Sequence, residues 1–371
     1  MKKISLELQW AIGKKTGVGW YIYNIVRELN KSKKNKYIAE FINFFGKYNV
    51  RKEIDCDIKI RENKLMPYKV YDFLTKKIKI SHNLIFGTKS DIYHFFNFTI
   101  PKNIKGKVIN TIYDTVFISA PETMGDRKEI EEYKYGAKKS DLIITISESA
   151  KKDIINHLQV PEDKIRIVYP GIDLEKYSKI IEKKELKKIR EKYKLPEKYI
   201  LYLGTIEPRK NIERIVKSFL EYKNLFKSNI KLVLAGGKGW KYDKIMELVE
   251  QNKDKIILTG YVEEEDKVLL YKMSEIFVFP SLYEGFGMPV LEAMACEIPV
   301  ITSNVSSLPE VAGEAGVLVD PLNEKEMVEA YDRILSDENL KREMIKKGIE
   351  QSKKFQWKES AKKLEKIYEE L

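Results

Sequence analysis

The chain has 371 residues, which at about 150 per domain predicts two or three domains and a core large enough to need no disulfide or metal. Hydrophobic residues make up 43% and aromatic residues 11%, which excludes a disordered chain. There are 68 Lys and Arg against 56 Asp and Glu, a net +12 that suits phosphorylated ligands, anionic lipid or nucleic acid, although a Lys-rich composition on solvated helix faces explains most of such an excess.

Other classes fall away residue by residue. Cys56 and Cys296 each stand alone, so neither a disulfide scaffold nor a zinc finger is expected. His82, His94 and His157 show no metal-ligand spacing, and no metal or cofactor is expected. No nucleic-acid module is recognisable. The longest charge-free apolar runs, such as 276–280, fall far short of the roughly 20 residues of a membrane span. The opening Met1-Lys2-Lys3-Ile4-Ser5-Leu6-Glu7 meets a carboxylate too early for a signal peptide. A cytoplasmic protein is expected, with docking at the inner membrane face left open.

Strand-like and helix-like segments alternate along the chain. Residues 3–8 predict a strand, and Val18, Tyr21, Ile22, Ile25, Val26 and Leu29 follow at helical spacing. Strands are predicted at 92–96, 108–113 and 142–146, then a helix capped by Ser147, then a strand at 165–169 stopped by Pro170-Gly171. Asp55-Cys56-Asp57 falls in an alternating, strand-like stretch, so its carboxylates read as a solvent face and not as a metal site. Residues 174–197 are charged and Lys-rich and read as a surface connection. Beyond them come strands at 199–203, 231–235, 256–259 and 276–280, with Asn211 expected to cap a helix bearing Ile212, Ile215, Val216 and Phe219. Asn323 and Glu326 predict a capped helix to residue 335, and 355–371 an amphipathic helix. Repeated βαβ alternation predicts an α/β protein of two doubly wound parallel sheets.

The most informative stretch is Glu284-Gly285-Phe286-Gly287-Met288-Pro289-Val290-Leu291-Glu292. Pro289 fits the first turn of a helix, where the N–H groups of Val290 and Leu291 would face a phosphate. The glycines permit close backbone approach. Glu292, one turn in, could accept from ribose hydroxyls, and Glu284 from a second sugar. A capped helix with a surface carboxylate accounts for the same spacing. Arg209-Lys210 before the helix at Asn211 would make a diphosphate cradle, or simply a basic turn.

The Glu-x7-Glu stretch resembles retaining glycosyltransferases of family 4. Gly204-Thr205-Ile206-Glu207-Pro208-Arg209-Lys210-Asn211 resembles that family's diphosphate turn. Ala235-Gly236-Gly237-Lys238-Gly239, Gly260-Tyr261-Val262, Phe279-Pro280-Ser281 and 303–311 match in order, and Thr16-Gly17-Val18-Gly19-Trp20-Tyr21 resembles its N-terminal glycine loop. The resemblance implies the GT-B fold, two Rossmann-like domains with a cleft between them. The expected domains are 1–172, with a C-terminal helix at about 355–371, and 173–354.

The resemblance further implies transfer of a hexose from a nucleoside diphosphate sugar to a hydroxyl of a glycan or lipid-linked saccharide in polysaccharide biosynthesis, with retention and without metal. Mannose from GDP-mannose is favoured. The alternatives are a family-4 phosphorylase, a small-sugar synthase, or a catalytically silent nucleotide-sugar-binding subunit. Glu284, Arg209, Lys210 and Asp114 are the expected catalytic residues. Gly17, Gly19, Gly204, Val262, Phe286, Gly287, Leu291 and Glu292 are expected at the donor, and His94 and Tyr113 on the acceptor side. Two positions depart from the family pattern. Thr205 stands where an Arg is frequent, leaving Arg209 to supply a guanidinium, and Tyr113 stands where a His is frequent. Peripheral membrane contact is an open expectation.

Overall fold

The computed structural model describes residues 1–121 and 130–371. It divides into two compact units. Unit 1 holds Met1–Pro121, the described part of Gly125–Gly171, and Gln356–Leu371, while Ile172–Phe355 forms unit 2.

Unit 1 is built on a parallel sheet of β1 (Lys3–Glu7), β2 (Lys36–Ile42), β3 (Lys59–Asn63), β4 (Ile92–Phe95), β5 (Lys107–Thr111), β6 (Leu142–Thr145) and β7 (Ile165–Ile167). Their order is β3-β2-β1-β4-β5-β6-β7. The central strands are buried throughout because helices cover both faces, so they read as continuous apolar runs. The helix Gly17–Ser32 buries Tyr21, Ile22, Ile25, Val26 and Leu29, the stripe its spacing predicts. The last helix, Trp357–Glu370, packs against it and buries Leu364, Ile367 and Tyr368. Gly171 is required where the chain passes under it, since a Cβ there would lie 2.1 Å from the Trp357 nitrogen.

Unit 2 repeats the plan with β8 (Tyr199–Leu203), β9 (Lys231–Ala235), β10 (Ile256–Gly260), β11 (Ile276–Phe279), β12 (Val300–Ser303) and β13 (Gly316–Val319), in the order β10-β9-β8-β11-β12-β13. All its ladders are parallel. In each sheet the chain reverses direction of winding between two central neighbours, β1 and β4 in unit 1 and β8 and β11 in unit 2. Ligands of such sheets collect at the carboxyl ends of those two strands.

The structure corrects three local expectations. Asp55 ends the short helix Val50–Ile54 in a left-handed conformation, so the Asp-Cys-Asp stretch is a helix end and not a strand; β3 starts only at Lys59. Residues 174–197 are not a bare connection, because the helices Leu174–Ser178 and Lys183–Lys192 form there and bury Tyr177, Ile189, Tyr193 and Leu195. Asn211 makes no side-chain cap. It adopts φ 61° and its amide donates to the carbonyls of Pro280 (3.1 Å) and Pro321 (2.6 Å). An Asn tolerates that backbone and supplies two donors, so it ties three loops together.

Candidate active site

At the switch point of unit 2 the turn after β8 meets the loop after β11. The turn Gly204–Lys210 is held by backbone bonds. Gly204 N–H donates to the Ala235 carbonyl (2.9 Å), Ile206 N–H to Gly237 (2.9 Å) and Leu282 N–H to Arg209 (2.8 Å). These contacts leave no space for side chains. A Cβ on Gly236, whose φ is +147°, would fall 1.9 Å from the Gly204 oxygen. Gly204 and Gly236 are thus close-packing glycines that bring two loops into contact.

Glu284 lies where these loops meet, and it is 8% exposed. Lys210 Nζ donates to its Oε1 at 2.5 Å, and Arg209 Nη1 stands 3.1 Å from its Oε2. Burial alone would raise this carboxyl, but the two cations overcome it and hold its pKa below the usual range. Burial pulls the Lys210 ammonium down and Arg209 adds to this. Glu284 opposes both, and the balance is downward. The ammonium also sits 4.9 Å over the Phe279 ring. Ser306 and Ser307 pin the Glu284 backbone: its N–H donates to Ser306 Oγ (3.0 Å), and its carbonyl lies 2.9 Å from Ser307 Oγ.

Arg209 is more constrained than expected. Its Nε and Nη2 donate to Glu207 Oε1 (3.1 and 2.7 Å), and Nη1 to the Tyr283 carbonyl (2.9 Å). Glu207 Oε2 accepts from Trp240 Nε1 at 3.2 Å. Sequence reasoning missed Glu207 and Trp240 as site residues. They are 33 positions apart, and only the β8 and β9 loops join them. The one available hint is the Trp that ends the Gly-Gly-Lys-Gly stretch.

Glu292 is one turn into the helix Met288–Ala295 and is also 8% exposed. Tyr271 OH donates to its Oε2 at 3.0 Å, and Tyr177 bonds it as well. Burial raises its pKa, while Lys267 opposes the rise. Val290 and Leu291 correct an expectation: their N–H groups turn back to the Gly287 carbonyl at 3.0 and 3.5 Å and so are not open donors. Gly287 caps this helix at φ 113°, where a Cβ would meet Leu308 at 2.7 Å. The Phe286 carbonyl lies 2.7 Å from Ser307 Oγ, and its ring packs edge-on against Phe355. Val262 is buried directly after β10, beside the half-exposed Tyr261.

In unit 1, His94 is a core residue and does not line a surface. Its Nδ1 pairs with Tyr368 OH (2.7 Å) and its Nε2 with Thr111 Oγ1 (2.8 Å), and burial pushes its pKa down to about 3. An acceptor hydroxyl therefore finds neither ring nitrogen. Tyr113 is buried too, and its hydroxyl donates to the Phe96 carbonyl (3.1 Å). Asp114 accepts from Val116 N–H (3.1 Å) at the start of a short helix. Gly19 is explained by packing, since a Cβ there would lie 2.4 Å from the Trp10 carbonyl; Gly17 has open space. Among the described residues, no group of three His, Cys, Asp or Glu is placed to hold a metal.

Two parallel α/β units, one with buried cations on a carboxylate at its switch point, form a frame suited to an anionic ligand. Comparison with known proteins agrees. The family Glycosyl transferases group 1 matches residues 183–351, and Glycosyltransferase Family 4 matches residues 15–176. O-antigen chain mannosyltransferase B of Escherichia coli is 35% identical over 72% of this chain and 71% of its own length. Serotype-specific mannosyltransferase WbdA of Escherichia coli is 30% identical over 70% of the chain, which spans 33% of that longer protein. The chain belongs to the group 1, family 4 glycosyltransferases. Sucrose-phosphate synthase from Thermosynechococcus elongatus (TM-score 0.76, 19% identity, 100% of this chain and 99% of that one) shares the fold. So does Anabaena HepE in complex with UDP and glucose (TM-score 0.77, 15% identity, both chains covered to 100%). The fold is GT-B.

Proposed function

We propose that this glycosyltransferase moves mannose from GDP-mannose to a hydroxyl of a glycan or lipid-linked saccharide in polysaccharide assembly, with retention of configuration. The observation that carries the reading is the buried Lys210–Glu284–Arg209 cluster at the unit 2 switch point, in a chain related to mannosyltransferases. A diphosphate beside Lys210 competes with Glu284 for the ammonium. The carboxylate thus released accepts from hydroxyls of the transferred sugar. The bond from the anomeric carbon to the phosphate oxygen breaks as the bond to the acceptor oxygen forms on the same face. The acceptor's proton passes to the departing phosphate. Charge grows on that oxygen, and Lys210 stabilises it. Glu292 holds the ribose and the Val262 backbone meets the base. Gly204 and Gly287 let the loops around the donor pack closely, Phe286 and Leu291 back the site, and Gly17 has room on its side-chain face for a phosphate. Asp114 orients the acceptor hydroxyl.

A cation set built from side chains supplies the charge that a metal supplies elsewhere, so transfer should survive EDTA. Activity lost in EDTA and restored by manganese would contradict this. A lipid-linked acceptor would bring the chain to a membrane surface. No helix among the described residues is long and apolar enough to cross one. Unit 1 does expose Phe45, Leu65 and Phe73 in a Lys-rich region, which suits peripheral contact. The donor is tested by calorimetry with GDP, UDP, ADP and their sugars. Selective binding of GDP and GDP-mannose is expected; selective binding of another nucleotide overturns the donor assignment.

A further inference from the structure

Glu284 and Glu292 are equally buried, yet they are held in different ways. Two cations grip Glu284. The side chains that bond Glu292 are two neutral phenols, Tyr271 at 3.0 Å from Oε2, and Tyr177. Both tyrosines are buried. A buried hydroxyl is costly unless it has a partner, and phenylalanine would fill an apolar core as well. The two hydroxyls therefore serve the carboxylate.

The helices that carry the phenols are tied to each other. Tyr177 lies on the helix Leu174–Ser178, which packs against the helix of Glu292, and Tyr271 lies on the helix Lys267–Lys272. Glu264 accepts from Lys176 of the first at 2.8 Å and pairs with Lys267 of the second at 2.5 Å. Lys267 is the cation whose field reaches Glu292, but its ammonium is spent on Glu264. Tyr199 OH donates to the Leu270 carbonyl at 2.7 Å and so fixes the second helix on β8, while the Tyr271 ring packs edge-on against Phe277 at 5.2 Å. Packed rings on fixed helices thus set where the phenol oxygens stand.

A carboxylate offers about four acceptor positions. Two phenols occupy part of that capacity from fixed directions and leave the negative charge in place, so the rest stays open to the adjacent hydroxyls of one ribose. A lysine in direct contact would offset the charge that those hydroxyls seek. We propose that Tyr271 and Tyr177 are positioning residues for donor recognition, whose hydroxyls fix the plane of the Glu292 carboxylate so that it accepts from both ribose hydroxyls of the nucleoside diphosphate. The proposal rests on the reading of Glu292 as the carboxylate that holds the ribose.

The test is calorimetry on the full chain with whichever of GDP, UDP and ADP the wild type binds most tightly, against the dideoxyribose form of the same nucleotide, which lacks both ring hydroxyls. Wild type should prefer the ribose form roughly ten- to hundredfold, as for hydrogen bonds to a charged group. Tyr271→Phe and Tyr177→Phe should each cut that preference roughly fivefold or more, with little change in affinity for the dideoxy form. A merely structural phenol would instead lower the melting temperature or weaken both forms alike, with the preference kept. A folded variant that keeps the wild-type preference removes its own phenol from the role, and failure of both variants to fold would make the phenols supports of the fold and overturn it. Either result leaves the ribose reading standing. Wild type that does not prefer the ribose form, or that binds none of the diphosphates, would overturn the ribose reading of Glu292 and the positioning role with it.

Discussion

Removing the Lys210 ammonium leaves Glu284 with Arg209 as its remaining cation. The fold should survive, while the transition state loses a donor on the leaving oxygen. Lys210→Ala should lower kcat by roughly 10²–10³, with a smaller change in KM. Lys210→Arg should restore part of the rate, because a planar fork does not reproduce a compact ammonium. A kcat within about threefold of wild type in a folded variant would make Lys210 a merely structural charge. Glu207 acts one step back, by holding the Arg209 guanidinium against Glu284. Glu207→Gln should cost about 1–3 kcal/mol of transition-state stabilisation while nucleoside diphosphate affinity changes little; an equal loss in both would place Arg209 on the diphosphate. Glu284 with Glu292, and Arg209 with Lys210, stood out in the sequence because each pair lies in one contiguous, chemically explicit stretch. Glu207 with Trp240 did not, because their contact depends on loops meeting across strands. His94 was misread because a strand-end histidine looks the same in sequence whether its nitrogens face solvent or, as here, Tyr368 and Thr111.

At the scale of elements, the loops after β8 and β9 form one piece because glycines let them touch. Gly236→Ala would force a Cβ to within 1.9 Å of the Gly204 oxygen from a backbone that L-residues rarely adopt. A loss of about 2–4 kcal/mol is expected, read as a lower melting temperature. Gly17→Ala meets nothing within 4 Å. It should leave the melting temperature close to wild type while raising KM for the donor; unchanged kinetics would remove Gly17 from the donor site. Most of the central strands could be read from the sequence as short apolar runs. β2, β3, β12 and β13 were missed. β3 is the polar edge Lys-Ile-Arg-Glu-Asn, β2 carries the buried Glu40 in mid-strand, and β13 opens on a glycine and leaves Leu318 exposed. Residues 174–197 looked like a linker because the two helices there bury few side chains each.

For the molecule as a whole, two carboxyls give stability opposite pH slopes. Glu284 has a lowered folded pKa, so its contribution is present at neutral pH and lost on acidification. Burial raises Glu7 to about 8, so its contribution is complete below the unfolded carboxyl range and fades as pH climbs through about 8. Melting curves across the acid and mildly alkaline ranges should therefore fall at both ends. Glu284→Gln should flatten the acid side and Glu7→Gln the alkaline side, and a variant with the wild-type slope would refute the corresponding assignment. The two-sheet plan was evident from the βαβ alternation, but the strand order, and with it the two switch points, emerged only from the paired strands. Front-side hexosyl transfer from a nucleotide sugar is read out by the configuration of the product. Wild-type protein, GDP-mannose and a mannotriose acceptor, followed by NMR in EDTA, should yield a new α-linked residue, the configuration of the donor. A β-linked product would rule out front-side transfer.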